Sequence, residues 1–198
     1  MIAIKKEYYE NGNIKVETYC SNNKRHRKNG PAFIKYDENG KDILYIGYFL
    51  NSLRHKEDGP AFIEYYEKGI IQREQYFSNN KRHRKNGPAF IEYDEYGFIQ
   101  REMYWINGKC HKDNSPADIY YNKGNISNKQ YYLNNKRHRA NGPAWIGYDD
   151  NGNIQSELYF IKHNNITNQV NEFFKDINVN SYDEMNKEQK ILFKLRFG

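Results

Sequence analysis

Gly87-Pro88-Ala89-Phe90-Ile91-Glu92-Tyr93-Asp94-Glu95-Tyr96-Gly97-Phe98-Ile99-Gln100-Arg101-Glu102-Met103-Tyr104-Trp105-Ile106-Asn107-Gly108 is the stretch that decides the fold. Two short runs rich in Ile, Tyr and other aromatic residues, each bounded by Gly with Asn or Asp, read as two antiparallel strands joined by a hairpin turn. In the first run Ala89, Ile91 and Tyr93 alternate with Phe90 and Glu92, the period of two shown by a half-buried strand. No 3.6-residue periodicity supports a helix before residue 165.

Outward from this stretch, the same cassette of about 28 residues is copied along the chain. His26, His55, His83, His111 and His138 are followed five residues later by Pro31, Pro60, Pro88, Pro116 and Pro143, and glycines recur at Gly12, Gly40, Gly69, Gly97, Gly124 and Gly152. Such a period marks a repeat protein, in which each unit buries its apolar face only against its neighbours. The expected fold is an all-β repeat: an elongated, twisted antiparallel β-meander of about twelve strands from five cassettes, with a C-terminal α-helical cap. Residues 1–164 are assigned to the repeat sheet and 165–198 to the cap.

Along the first strand of each copy one face is constant, from Ala32, Ile34 and Tyr36 to Ala144, Ile146 and Tyr148, and is read as the packed face. The other face opens with Phe33, Phe62, Phe90, Asp118 or Trp145. Phe33, Phe62, Phe90, Trp105 and Trp145 are the candidate docking residues for a protein partner, because aromatic side chains are enriched at interfaces. Gly40 reaches Tyr48 in eight residues where other copies take seven, which predicts a β-bulge near Tyr45–Gly47. In the tail, Thr167–Asp176 and Ser181–Arg196 carry helical patterning. The second opens with a capping box of Ser181 and Glu184 and places Tyr182, Met185, Ile191, Leu192 and Leu195 on an apolar stripe.

The segment between cassettes carries most of the charge. Lys24-Arg25-His26-Arg27 recurs as Lys81-Arg82-His83-Arg84 and Lys136-Arg137-His138-Arg139, and these twelve residues are the candidate polyanion- or partner-binding site. The five-residue windows starting at Lys24, Arg54, Lys81, Lys109 and Lys136 have charges of +4, 0, +4, +1 and +3, together twice the +6 of the whole chain. Asp37-Glu38, Asp94-Glu95 and Asp149-Asp150 follow the strongly basic copies. Successive turns of a meander lie on opposite edges, so one edge is expected to be basic and the other acidic, and weak salt-sensitive self-association is expected from their attraction. The histidine has a structural reading too, as a hydrogen-bond donor or a ring packed on a tyrosine.

No metal or cofactor is expected. Like loops recur every ~10 Å in a sheet, too far apart for their histidines to share one zinc. No phosphate-binding loop, nucleophile elbow, HExxH or CxxC occurs, and residues copied five times do not make a unique catalytic constellation, so the chain is read as non-enzymatic. Cys20 occupies the position of Phe49, Phe77, Trp105, Tyr132 and Phe160 and is read as a small core residue; Cys110 sits in a basic loop, where a thiol can be somewhat reactive, but is read as a chance placement. The start lacks the apolar core of a signal peptide and no apolar run approaches the ~20 residues of a membrane span, so a soluble, cytoplasmic protein is expected. The most plausible role on these grounds is a scaffold that docks a protein along the repeat sheet. The alternative is a binder of nucleic acid or anionic lipid through the basic loops.

Gly97-Phe98-Ile99-Gln100-Arg101-Glu102-Met103-Tyr104 with Asn107-Gly108-Lys109 resembles the Gly-x-Ile-x-x-Glu-x-Tyr pattern of MORN-type repeats, in the variant form of bacterial and large-virus proteins. The resemblance covers roughly residues 8–161 and implies an elongated, curled sheet used as a scaffold, in some relatives for acidic lipids; some bacterial relatives are labelled antitoxins. This cassette is longer than the usual unit, its Lys-Arg-His-Arg insert lies outside that motif, and the tryptophan and glycine spacing of the standard form is missing, so lipid binding transfers poorly.

Overall fold

Among the described residues the protein is mostly β, an antiparallel meander of twelve long strands followed by two helices. A computed structural model describes residues 2–198, which divide into two compact units, one ending at Gly108 and the next beginning at Lys109. The first unit holds β1 (Ala3–Tyr8), β2 (Ile14–Ser21), β3 (Phe33–Tyr36), β4 (Ile43–Gly47), β5 (Phe62–Tyr65), β6 (Ile71–Gln75), β7 (Phe90–Tyr93) and β8 (Ile99–Met103). The second holds β9 (Asp118–Asn122), β10 (Asn125–Gln130), β11 (Trp145–Tyr148), β12 (Ile154–Leu158), α1 (Thr167–Asp176) and α2 (Lys187–Phe197). Within each unit the long strands pair antiparallel in sequence order.

Every hairpin slips register once, at the tyrosine near the end of its first strand: Tyr8, Tyr36, Tyr65, Tyr93, Tyr121 and Tyr148. The bulge therefore belongs to the cassette and not to the second copy alone. Near Tyr45–Gly47, where an extra bulge was expected, pairing is regular, with Lys35 opposite Tyr45 and Phe33 opposite Gly47. The additional residue of that copy sits in the turn. Asp37 N–H donates to the carbonyl of Asp42, one residue further on than in Asp94 to Phe98 or Asp149 to Asn153. The Asp37 carboxylate accepts the N–H groups of Lys41 and Asp42 and so closes the longer turn. Lengthening a loop costs little, whereas an insertion within a strand turns its side chains to the wrong face.

Packing explains the repeated Glu-x-Tyr. Ala32, Ala61, Ala89, Ala117 and Ala144 are fully buried, as are nearly all of Ile34, Ile91, Ile119 and Ile146. The Glu17 carboxylate accepts the hydroxyls of Tyr19 and of Tyr36 on the neighbouring strand β3, and Glu74 does the same for Tyr76 and for Tyr93 on β7. Burial alone would raise the Glu17 carboxyl, but Lys6 Nζ at 3.0 Å and the two hydroxyls hold it below its ordinary value. Burial, reinforced by the Glu74 charge, pushes the Tyr93 hydroxyl up to about 12.

The helical tail packs on the end of the second unit. Tyr159, Val170, Phe173, Phe174, Met185 and Phe193 form one buried cluster, in which Phe173 and Phe193 lie 6.0 Å apart. The first helix has the expected bounds. The second starts later than expected, capped by Asn186 and Gln189, each side chain accepting the other's backbone N–H. Glu184 instead accepts from Asn180, and residues 181–186 are not helical. Tyr182 and Met185 therefore reach the core from a turn, while Ile191, Leu192 and Leu195, expected on the packed stripe, are exposed.

Candidate functional site

The basic segments are not open loops. Cys20–Ser21 pairs with Lys24–Arg25, Phe77–Ser78 with Lys81–Arg82, and Tyr132–Leu133 with Lys136–Arg137, making two-residue β-ribbons. Their turns are Asn22-Asn23, Asn79-Asn80 and Asn134-Asn135, in which both central residues have positive φ. Two successive left-handed residues define the type I′ turn that suits tight hairpins, and asparagine tolerates that conformation better than most residues. Sequence reading took the Asn-Asn pairs as loop; they were the signal for these ribbons.

Each ribbon bonds to the next. Within the first unit Ser52 N–H donates to the Arg25 carbonyl, Asn80 N–H to Arg54 and Gly108 N–H to Arg82; in the second, His163 N–H donates to Arg137. The histidine completes the joint. Nδ1 of His26, His55, His83 and His138 accepts the N–H of Asn51, Asn79, Asn107 and Lys162 at 3.2–3.4 Å. The ring is an acceptor at Nδ1 rather than the donor expected, which requires that nitrogen to be unprotonated. For His138, burial and the Lys162 ammonium both lower the pKa. His111 departs from the pattern: its Nε2 lies 2.9 Å from Asp113, and Nδ1 is buried without a partner among the described residues.

The arginines flanking the histidine are also committed to the fold. The guanidinium groups of Arg27, Arg84 and Arg139 lie 3.9–4.0 Å from the ring centroids of Tyr19, Tyr76 and Tyr131 and donate to the carbonyls of Pro31, Pro88 and Pro143. In the weaker second copy Lys56 takes the same place over Tyr48 at 4.0 Å. Arg25 lies over Phe33 and Phe49, Arg82 over Phe90 and Trp105, and Arg137 over Phe160. Gln75 accepts from Arg82 and Gln130 from Arg137. Burial and the nearby cations Arg54, Arg73 and Arg101 lower the Arg82 pKa from its ordinary value. Of the twelve candidate residues, Lys24, Arg25, Lys81 and Lys136 are exposed.

The five aromatic residues expected to form a docking face are largely used in packing. Phe62 and Phe90 are buried, and Phe33, Trp105 and Trp145 are half-buried. The rings of Phe49 and Phe77, carried on ribbons, fold onto Phe62 at 5.5 and 5.8 Å, and Tyr45 bridges Phe33 and Phe62. The Trp145 ring lies against Gly147, so closely that a Cβ there would meet it at 2.5 Å. Beside these rings, Arg73 forks between Glu64 and Glu92 at 2.8 Å to each. Both cysteines are buried, so the basic segment around Cys110 has no exposed thiol to activate.

The most exposed aromatic side chains lie at a hairpin turn. Tyr96 and Phe98 are 77% and 63% exposed on the β7–β8 hairpin, with Ile99 beside them. The first acidic residue of such turns serves the backbone, as Asp94 Oδ1 accepts from Tyr96 and Phe98 N–H. Sequence reading noted the acidic turn and passed over the aromatic pair set within it. Among the described residues no three His, Cys, Asp or Glu side chains come together to hold a metal ion. No family model matches the chain, and no curated protein matches it.

Proposed function

We propose that this protein is a non-enzymatic scaffold that docks a protein partner on its repeat hairpins. The observation that carries this reading is the division of labour among the aromatic side chains. The sheet-face rings are spent on the core, whereas Tyr96 and Phe98 stand exposed on a turn fixed by the Asp94 carboxylate. Aromatic side chains held on a rigid element lose little entropy on binding and are common interface anchors. The resemblance to MORN-type repeats supports a docking role.

Affinity capture from the native source with the wild-type chain and a Tyr96→Ala/Phe98→Ala variant tests the proposal. A stoichiometric protein partner retained by the first and lost by the second is the expected result. Equal capture by both moves the docking surface elsewhere, and absence of any partner refutes the scaffold reading. The polyanion alternative has one observation in its favour, the exposed Lys24, Lys81 and Lys136, one on each of the three strongly basic ribbons. It predicts nucleic-acid binding that falls steeply with salt and is lost on changing these three lysines to glutamine.

A further inference from the structure

Helix α2 is apolar on two opposite sides. Phe193, 1% exposed, and Phe197 face the core of the second unit. Ile191 and Leu195 flank Phe193 two residues to either side, which on an α-helix is nearly the reverse face. They are 51% and 79% exposed, with Leu192 at 52% beside them. Lys187, Lys190 and Lys194 run along one border of this crest; on the other, the Arg196 guanidinium lies 5.5 Å from the ring centroids of Phe173 and Phe197, and Glu188, the helix's one carboxylate, stands on the crest one turn before Leu192. Lys187, Lys190, Ile191 and Lys194 also line a shallow cleft with Met185. Nothing in the folding of the unit requires the outer crest, since the cluster under Phe193 is complete without it.

Charge and area select the occupant. A second copy would set three lysines against three, with a single carboxylate on each crest, Glu188, to oppose them. A stable protein interface needs ~1,000 Å² or more, which three side chains on a single convex ridge do not supply. A bilayer surface needs only shallow insertion of such a ridge, helped by basic side chains whose stems lie along it and whose charges reach the phosphates. The helix is not long or apolar enough to cross a membrane. We propose that α2 docks the protein on anionic lipid, with Ile191, Leu192 and Leu195 entering the headgroup boundary and Lys187, Lys190 and Lys194 contacting lipid phosphates. The site is separate from the Tyr96–Phe98 turn, and the two proposals stand or fall independently.

Vesicle sedimentation of the full chain tests it, using phosphatidylcholine vesicles with and without phosphatidylserine. Binding is expected only with phosphatidylserine and is expected to weaken as salt rises. Leu192→Gln/Leu195→Gln should weaken it about tenfold or more, with unchanged circular dichroism, because both side chains are exposed. Lys24→Gln/Lys81→Gln/Lys136→Gln, which alters the ribbons alone, should retain most of the binding. Absence of binding at low salt, equal binding to pure phosphatidylcholine, or undiminished binding by Leu192→Gln/Leu195→Gln would each overturn the proposal. So would loss confined to the ribbon variant, which would place the lipid contact on the repeats. A protein partner captured through Leu192 and Leu195 with no vesicle binding would likewise reassign the crest.

Discussion

The backbone N–H of Asn107 donates to Nδ1 of His83 at 3.2 Å, joining the turn of one ribbon to the basic segment of the ribbon before it. Equivalent bonds run from Asn51 to His26, Asn79 to His55 and Lys162 to His138. A histidine copied at fixed spacing is thus explained by geometry: the imidazole reaches an N–H that a type I′ turn leaves pointing outward. Replacing His83 with alanine is expected to cost about 1 kcal/mol, the net worth of an ordinary hydrogen bond. His83→Asn, whose side-chain oxygen falls near the place of Nδ1, should cost less. Urea denaturation of both variants checks the order.

The same contact makes stability depend on pH. His138 has a folded-state pKa below the ordinary 6.5, through burial and the Lys162 charge. The unfolded chain therefore binds the proton more readily, so this contribution is complete above pH 6.5 and is lost as pH falls below it toward the folded-state value. The urea midpoint should decline between pH 7.5 and 5.5, and His138→Asn should show a shallower decline. An unchanged slope would remove His138 from the cause.

Trp145 and Gly147 form a close pair that a single methyl group disturbs. The ring carbon Cη2 lies 2.5 Å from where a Cβ on Gly147 would sit. Gly147→Ala should destabilise by about 1–3 kcal/mol, as overpacking does. Trp145→Leu/Gly147→Ala should fall short of the sum of the two single changes. Thermal unfolding of the four proteins in the cycle measures the coupling.

In the second copy the additional residue is held in the turn. Deleting Lys41 should therefore leave the sheet register intact and change stability by less than about 1 kcal/mol, since one loop residue alters closure entropy little. Deleting Leu44, which occupies the bulge between the Tyr45 and Ile43 pairings, should be severely destabilising. Unfolding midpoints and amide exchange of β4 distinguish the two outcomes.

Strand positions, the meander and the extent of α1 were legible because they depend on local periodicity and turn residues. The fate of the basic segments was not. Arg27, Arg84 and Arg139 read as free charge until the chain folds and places Tyr19, Tyr76 and Tyr131 beneath them, partners eight residues away that linear charge counting ignores. Phe62 read as an exposed-face residue because alternation assigns side chains to faces without saying what covers each face, and here Phe49 and Phe77 cover it. The start of α2 was misplaced because Ser181 and Glu184 satisfy a capping spacing, while Asn186 and Gln189 satisfy it as well and hold the bonds.

The clamp role of the basic segment is tested most directly by the side-chain ¹⁵N shifts of its histidines near pH 7.5. His26, His55, His83 and His138 are predicted to hold the Nε2–H tautomer, with an unprotonated, hydrogen-bonded Nδ1. Protonated Nδ1, or shifts averaged between tautomers as in a solvent-exposed loop, at these four rings would contradict the account.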